Sequence, residues 1–234
     1  MKDFSLNSGE RQTGVKLDQI RYDHRARYKK VIEFLKDKPV KFGLDCFCGN
    51  GYGTYYVNEN LKNVCMLGID GSSEAVVCAE KNYSTHRNFF SYKLFPFELP
   101  KNTFDFVICY ESLEHVDDGN GMYRVLADSL KPGGYLFISV PNEEINNRLL
   151  NHHPFHKKHY TDVEIRNILH SDFTVLTSFG QNVYVFRDGI QCELLSEQDM
   201  ELEENKTGQV LIYFCVKNGN SVQNKKKGIL SFFK

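Results

Sequence analysis

Leu44-Asp45-Cys46-Phe47-Cys48-Gly49-Asn50-Gly51-Tyr52-Gly53 follows an apolar run that begins at Val40 and is interrupted only by Lys41. A short apolar run closed by turn residues reads as a strand. Glycines at alternate positions then lead into a helix-compatible segment. A strand that ends in an acid and turns through glycines into a helix is a nucleotide-binding element. Glycine lets backbone approach a ligand closely, and the helix N-terminus presents free N–H groups. Dinucleotide loops use G-x-G-x-x-G and keep those N–H groups clear for an anionic pyrophosphate. Here the spacing is G-x-G-x-G and Asp45 stands beside the loop, which suits a ligand carrying a positive amino group and disfavours a dehydrogenase.

A second acid ends the next apolar run. Val64 to Ile69 closes at Asp70 and is followed by the helix opener Gly71-Ser72-Ser73-Glu74. Asp70 comes about 25 residues after Asp45, near the offset of roughly 20 at which a second-strand acid meets both ribose hydroxyls. Asp70 could instead cap the following helix, but Ser72 or Ser73 can do that.

Outward from these landmarks the chain alternates. Strands are predicted over 41–45, 64–69, 89–92, 104–109 and 135–140. Helices are predicted over 52–61, 73–82 and 119–130, the last closed by Pro132-Gly133-Gly134. Such alternation implies right-handed crossovers and a parallel sheet, with ligands at the carboxyl ends of the strands. Residues 15–37 carry helical periodicity with aromatic and cationic faces (Tyr22, Arg25, Arg27, Tyr28), and a flexible segment is expected over 1–14. Residues 142–160 break the alternation and hold four of the eight histidines; a loop of that length in a compact domain is usually functional. Asp162 to His170 reads as a helix with its N-cap at Thr161, and 173–179 and 210–217 read as the final strands. The polar stretch 188–207 reads as a loop or hairpin. The expected organisation is an N-terminal segment with a lid helix over 1–37, a catalytic domain over 38–218 and a tail over 219–234.

Composition sets limits. With 234 residues, 41% of them hydrophobic, the chain can bury one sizeable core. A formal net charge of −1 gives no field to attract DNA or RNA. Seven scattered cysteines and a start without an apolar signal core are expected of a reduced, cytoplasmic protein. Cys46 and Cys48 lack the second pair a zinc site needs. No apolar run approaches the roughly 18–20 residues of a membrane span. Gly228 to Lys234 could touch a membrane surface but is too short to anchor there.

Two further blocks, F-D-F-V-I-C-Y-E-S-L-E-H-V over 104–116 and L-K-P-G-G-Y-L-F-I-S-V-P-N over 130–142, complete a resemblance. In their order and spacing, residues 40–142 resemble the class I S-adenosylmethionine-dependent methyltransferases. The resemblance implies a Rossmann-like α/β fold with a seven-stranded, mostly parallel sheet. It also implies S-adenosylmethionine lying across the first strands. Asp45, Gly49 and Gly51 would then face the methionine moiety and Asp70 the ribose, with Cys109 and Tyr110 beside the transferred methyl. Phe47 departs from the pattern, occupying a usual Gly or Ala position. So does Lys93, which stands where many relatives carry an acid near adenine; a backbone contact at Leu94 is expected instead.

Glu111, Glu114 and His115 form E-x-x-E-H just past the fourth strand. On a helix, positions i, i+3 and i+4 share a face, so the three would converge. Two carboxylates so close repel unless a cation lies between them. The histidine-rich loop should fold over the same sheet edge, and His156, held between Pro154-Phe155 and the next helix cap, is the expected fourth ligand. Mixed carboxylate and imidazole donors suit manganese, iron, cobalt or zinc. The set resembles two groups of metal-dependent O-methyltransferases, those of ubiquinone biosynthesis and the plant-type small-RNA 2′-O-methyltransferases. Metal-free relatives also carry E-x-L-E-H-V, and there the histidine contacts substrate or acts as base; His115 would be that base. From about residue 10 to 182, R-Y-D-H-R-A-R-Y and N-H-H-P-F-H-K-K-H-Y-T resemble methyltransferases found with bacterial surface-polysaccharide genes.

The expected activity is O-methylation of a saccharide or related small hydroxyl acceptor, with a divalent metal such as manganese assisting. Tyr28 is expected to close over the cofactor. The alternatives are N-methylation of an amino sugar or small amine, and RNA 2′-O-methylation, which the near-neutral charge disfavours. A non-catalytic binding module would not need Asp45, Asp70, Glu111, Glu114 and His115 together. The acceptor and the oligomeric state are left open.

Overall fold

The computed structural model describes Ser5 and residues 11–219. The expected flexible start therefore lies largely, and the C-terminal tail almost wholly, outside the described residues. Helix α1 spans Tyr22–Leu35, preceded by a single 3-10 turn at Leu17–Gln19. Alternation follows with β1 (Phe42–Cys46), α2 (Tyr52–Asn60), β2 (Cys65–Asp70), α3 (Ser73–Tyr83), β3 (Asn88–Tyr92), β4 (Phe104–Tyr110), α4 (Gly119–Ser129) and β5 (Leu130–Pro141). After a long loop come α5 (Asp162–His170), β6 (Phe173–Gln181), the hairpin β7 (Tyr184–Arg187) and β8 (Ile190–Leu194), β9 (Leu202–Glu204) and β10 (Val210–Lys217).

One sheet runs in the order β3-β2-β1-β4-β5-β10-β6-β9. The first five pair in parallel, whereas β10 is antiparallel to both β5 and β6. The strand order reverses beside β1, so the crevice where ligands bind opens at the carboxyl ends of β1 and β4. The count exceeds the expected seven because three residues, Leu202–Glu204, add an edge strand to β6. Strand β5 also begins earlier than expected: Lys131-Pro132-Gly133-Gly134 sits within its bounds, with Gly133 at φ +75°, and pairing with β4 slips there.

Local chemistry accounts for the helix starts. Ser72 caps α3 by accepting from Ala75 N at 3.3 Å, and Asp118 caps α4 through Gly121 N at 2.7 Å. Thr161 and Glu164 form a reciprocal capping box on α5. The sheet divides the core in two. Met66, Phe106, Ile108, Phe137, Ile212 and Phe214 pack with residues of α1, α2 and α3. Leu44, Cys46, Val107, Cys109, Leu136 and Tyr213 pack with residues of α4 and α5. Successive strand residues therefore face opposite layers, as the pleat requires.

The glycine loop is shaped by packing as much as by ligand access. Gly51 sits at φ +86°, and a Cβ there would lie 2.6 Å from the Phe90 ring and 2.7 Å from Ala79 Cβ. A Cβ on Gly53 would fall 2.1 Å from the Tyr28 ring. Gly53 is thus the seat on which α1 lays Tyr28 against α2.

Candidate active site

A cleft of about 280 Å³ opens at the carboxyl ends of β1, β2 and β4 and is walled by α1, the 142–160 loop and the β7–β8 hairpin. Asp45, on the α1 side of β1, is buried and accepts from Thr54 Oγ1 at 2.7 Å and from Tyr28 Oη at 3.2 Å on both oxygens. Burial pushes its pKa up to about 7, Thr54 and Tyr28 pull the other way, and the charge of Asp70 adds to the rise. Asp70, also buried, accepts from Gly49 N at 2.9 Å, Ser72 N at 2.8 Å and Arg11 Nη2 at 3.1 Å. Its carboxylate ties the glycine loop to the start of α3, which explains its place better than helix capping does.

Phe47 keeps the loop shape that glycine usually provides. It holds φ at +61°, in the left-handed region, while its ring lines the cleft and packs on the α4–α5 side of the core.

Expected positions separate at β4. Tyr110 lines the cleft and meets Tyr28 edge-on at 5.6 Å, but Cys109 is fully buried in the opposite layer. Strand alternation turns the Cys109 side chain away from the cleft, so of the pair expected beside the methyl only Tyr110 lines it. Gly49 lines the cleft; Gly51 does not, being packed under Phe90 and Ala79. Leu94 lies over Gly71, where a Cβ would meet Leu94 Cδ1 at 2.9 Å. Leu94 is outside the cleft lining.

The E-x-x-E-H stretch is not an α-helix. Glu111 takes φ +47° and only Leu113–His115 turns, as a 3-10 helix. Glu111 is consequently directed to Ser139 Oγ at 2.8 Å and lies 3.9 Å from Arg27 Nη1, so the expected common helical face does not form. Glu114, His115 and His156 do converge: their ligating atoms all lie within 4.8 Å of one another. The loop is brought there by backbone. Asn142 and Tyr160 pair at its base, and Lys157 N donates to Glu114 O at 2.6 Å. Burial is the main force lowering the pKa of His115 to about 4 and of His156 to about 2, so both imidazoles are neutral near pH 7, the form that binds metal ions.

Sequence reading missed three participants. Arg27 is buried in α1 between Asp23 Oδ2 at 3.2 Å and Gln181 Oε1 at 2.6 Å, and its Nη1 makes no hydrogen bond among the described residues. Arg11 reaches Asp70. The β7–β8 hairpin is fastened to the histidine loop by Asn151, which donates to Gly189 O at 2.9 Å and accepts from Gln191 N at 2.7 Å. Arg27 stood in the sequence within a helical pattern with cationic faces and Arg11 within the segment expected to be flexible; their long-range partners Gln181 and Asp70 carried no local signal.

Comparison with known proteins agrees with this architecture. A methyltransferase-domain family matches residues 20–178. Phosphoethanolamine N-methyltransferase of Triticum aestivum is 31% identical over 114 residues, 47% of this chain and 22% of that protein. Ubiquinone biosynthesis O-methyltransferase of Hydrogenovibrio crunogenus is 28% identical over 130 residues, 54% of this chain and 52% of that protein. The chain thus spans between about a fifth and about half the length of these curated relatives. Magnesium protoporphyrin IX methyltransferase of Synechocystis, solved with S-adenosylhomocysteine, shares the fold at TM-score 0.61 and 18% identity, over 88% of this chain and 89% of that one. The N-methyltransferase NodS of Bradyrhizobium japonicum, also with S-adenosylhomocysteine, gives TM-score 0.60 and 17% identity over 83% and 87%. With its paired strand-end acids, its glycine loop and a family match across most of the sheet, the chain belongs to the methyltransferase-domain family, in the class I S-adenosylmethionine-dependent fold.

Proposed function

We propose that the chain is a metal-assisted O-methyltransferase acting on a hydroxyl of a saccharide or a related small acceptor, of the kind used in surface-polysaccharide biosynthesis. The convergence of Glu114, His115 and His156 carries this reading. One carboxylate and two neutral imidazoles are a donor set that fits manganese, iron, cobalt or zinc. A divalent cation bound there would supply Lewis-acid polarisation that lowers the pKa of an acceptor hydroxyl. Glu111 lines the same cleft and is the candidate fourth ligand, although Ser139 holds its side chain. Without a cation, His115 would act as the general base.

The chain's own residues supply the rest. Asp45, hydrogen-bonded to the cleft residue Tyr28, would hold the ammonium of the methionine end, and Arg27 Nη1, buried at the cleft wall, its carboxylate. Gly49 offers close backbone approach, Asp70 the ribose contacts and Leu94 the backbone beside adenine. Arg11 competes with the ribose hydroxyls for Asp70, and Tyr28, carried on the core-packed α1, closes on Asp45. Asn146, Asn151, Tyr184, Gln191 and Gln209 line the cleft on the side of the histidine loop and the hairpin. Amide and hydroxyl groups suit a ligand rich in hydroxyls better than a quinone ring. The N-methylation alternative draws on the wheat relative, which is a phosphoethanolamine N-methyltransferase, and would need no cation.

Asp70→Ala is expected to weaken S-adenosylhomocysteine binding by about 1–3 kcal/mol, the cost of losing hydrogen bonds to a charged group. Titration calorimetry reads this directly; unchanged affinity would remove Asp70 from the cofactor site. Mass spectrometry on a panel of nucleotide sugars and phosphorylated saccharides tests the acceptor class. A product heavier by one methyl substitution is expected, and methylation of simple amines alone would contradict it.

A further inference from the structure

Behind His156 lies a chain of hydrogen bonds that no ligand motif contains. His159, only 3% exposed, places Nδ1 at 2.6 Å from the Asn146 carbonyl oxygen and Nε2 at 2.7 Å from His156 Nδ1. A carbonyl oxygen can only accept, so His159 Nδ1 carries the hydrogen. In a neutral imidazole that leaves Nε2 as an acceptor, and His156 Nδ1 must then be the donor. The lone pair of His156 is thereby fixed on Nε2, and a ligand nitrogen of this ring lies within 4.8 Å of ligating atoms of Glu114 and His115. Beside it, His115 Nδ1 meets the Phe155 carbonyl at 3.3 Å and its Nε2 lies 3.8 Å from Glu114 Oε1.

We infer that His159 is a positioning residue: relayed from the Asn146 carbonyl, it locks the tautomer and ring orientation of His156 so that Nε2 is presented as a metal ligand. The inference rests on the metal reading above. Metal-ligating histidines commonly donate their second N–H to an oriented acceptor, and loss of such partners typically costs about 10–100-fold in metal affinity. The loop supplies both ends of the relay, since Asn146 N is itself held on Asn142 O at 2.7 Å. Glu143 adds an acceptor 3.6 Å from His159 Nδ1, which favours the same tautomer.

The test uses the full chain and manganese alone. Nitrogen-resolved NMR of the histidine rings should show His156 and His159 both with hydrogen on Nδ1. In calorimetry, His159→Ala should bind manganese about 10–100-fold more weakly while S-adenosylhomocysteine affinity stays unchanged. His159→Gln, whose amide can both accept from His156 and donate to Asn146, should recover most of the loss. A role confined to stability would lower the melting temperature without this rescue in affinity. Wild-type affinity in His159→Ala, or His156 found with its hydrogen on Nε2, would overturn the inference. A wild-type chain that binds no manganese would instead overturn the metal reading, and the NMR arm would still decide the tautomer.

Discussion

Glu114→Gln is expected to lower methyl transfer by about three powers of ten, since Lewis-acid assistance is worth several kcal/mol and each 1.36 kcal/mol is tenfold in rate. Glutamine matches glutamate in shape but removes the charge that a cation needs. The side chain is fully buried and its Oε1 lies 3.8 Å from His115 Nε2, so no solvent dipole substitutes for it. S-adenosylhomocysteine affinity should hold, because Asp45 and Asp70, the acids proposed for the cofactor, stand on other strands. Glu111→Gln should cost less metal, because Glu111 is held by Ser139 outside the three-residue group. Metal content and turnover measured on the same preparations check both variants; a Glu114→Gln enzyme with full metal content and rate would contradict the assignment.

Cofactor affinity is expected to rise with pH through about 7, and Asp45 is the reason. Its pKa is raised from 3.8 to about 7, chiefly by burial. A ligand ammonium needs the charged carboxylate, so affinity should fall by up to about tenfold per unit as pH drops below about 7. The stability of the protein alone runs the other way. Between about pH 4 and 7 the folded chain keeps a proton on Asp45 that the unfolded chain has lost. Stability from this group is therefore full at the acid end and declines as pH rises through the window, by about 4 kcal/mol in all. S-adenosylhomocysteine should consequently raise the melting temperature more at about pH 8 than at about pH 6. Asp45→Asn should flatten that difference and weaken binding at every pH. An equal shift at both pH values in the wild type would show that Asp45 does not meet the ammonium.

How much of this was legible in the sequence depends on whether the signal was local. Asp45 and Asp70 could be placed because each ends an apolar run shortly before a glycine, and both stand at the carboxyl ends of neighbouring strands, where Asp70 lines the cleft and Asp45 lies behind Tyr28. The Thr161 cap of α5 was equally local. Strand parity keeps the Cys109 side chain out of the cleft: Phe106, Ile108 and Tyr110 share one face, which leaves Val107 and Cys109 on the other. E-x-x-E-H failed as a helical face because Glu111 takes a left-handed backbone before any helix begins, an option that spacing cannot reveal. His156 met Glu114 and His115 as expected, but through Lys157 N on the Glu114 carbonyl, a contact between segments far apart in sequence. The same is true of Arg11 on Asp70 and of Arg27 between Asp23 and Gln181. Leu202–Glu204 was too short for period-based reading, yet it completes the sheet edge. Among the described residues no helix is long and apolar enough to cross a membrane.

Metal dependence of methyl transfer tests the account most directly. The full chain, S-adenosylmethionine and the saccharide panel should be assayed with excess chelator, then again after adding back manganese. Methylated saccharide is expected only after the addition, with S-adenosylhomocysteine binding nearly unchanged by the chelator. Full turnover in excess chelator, with metal content at background, would contradict it and leave His115 as a metal-free base.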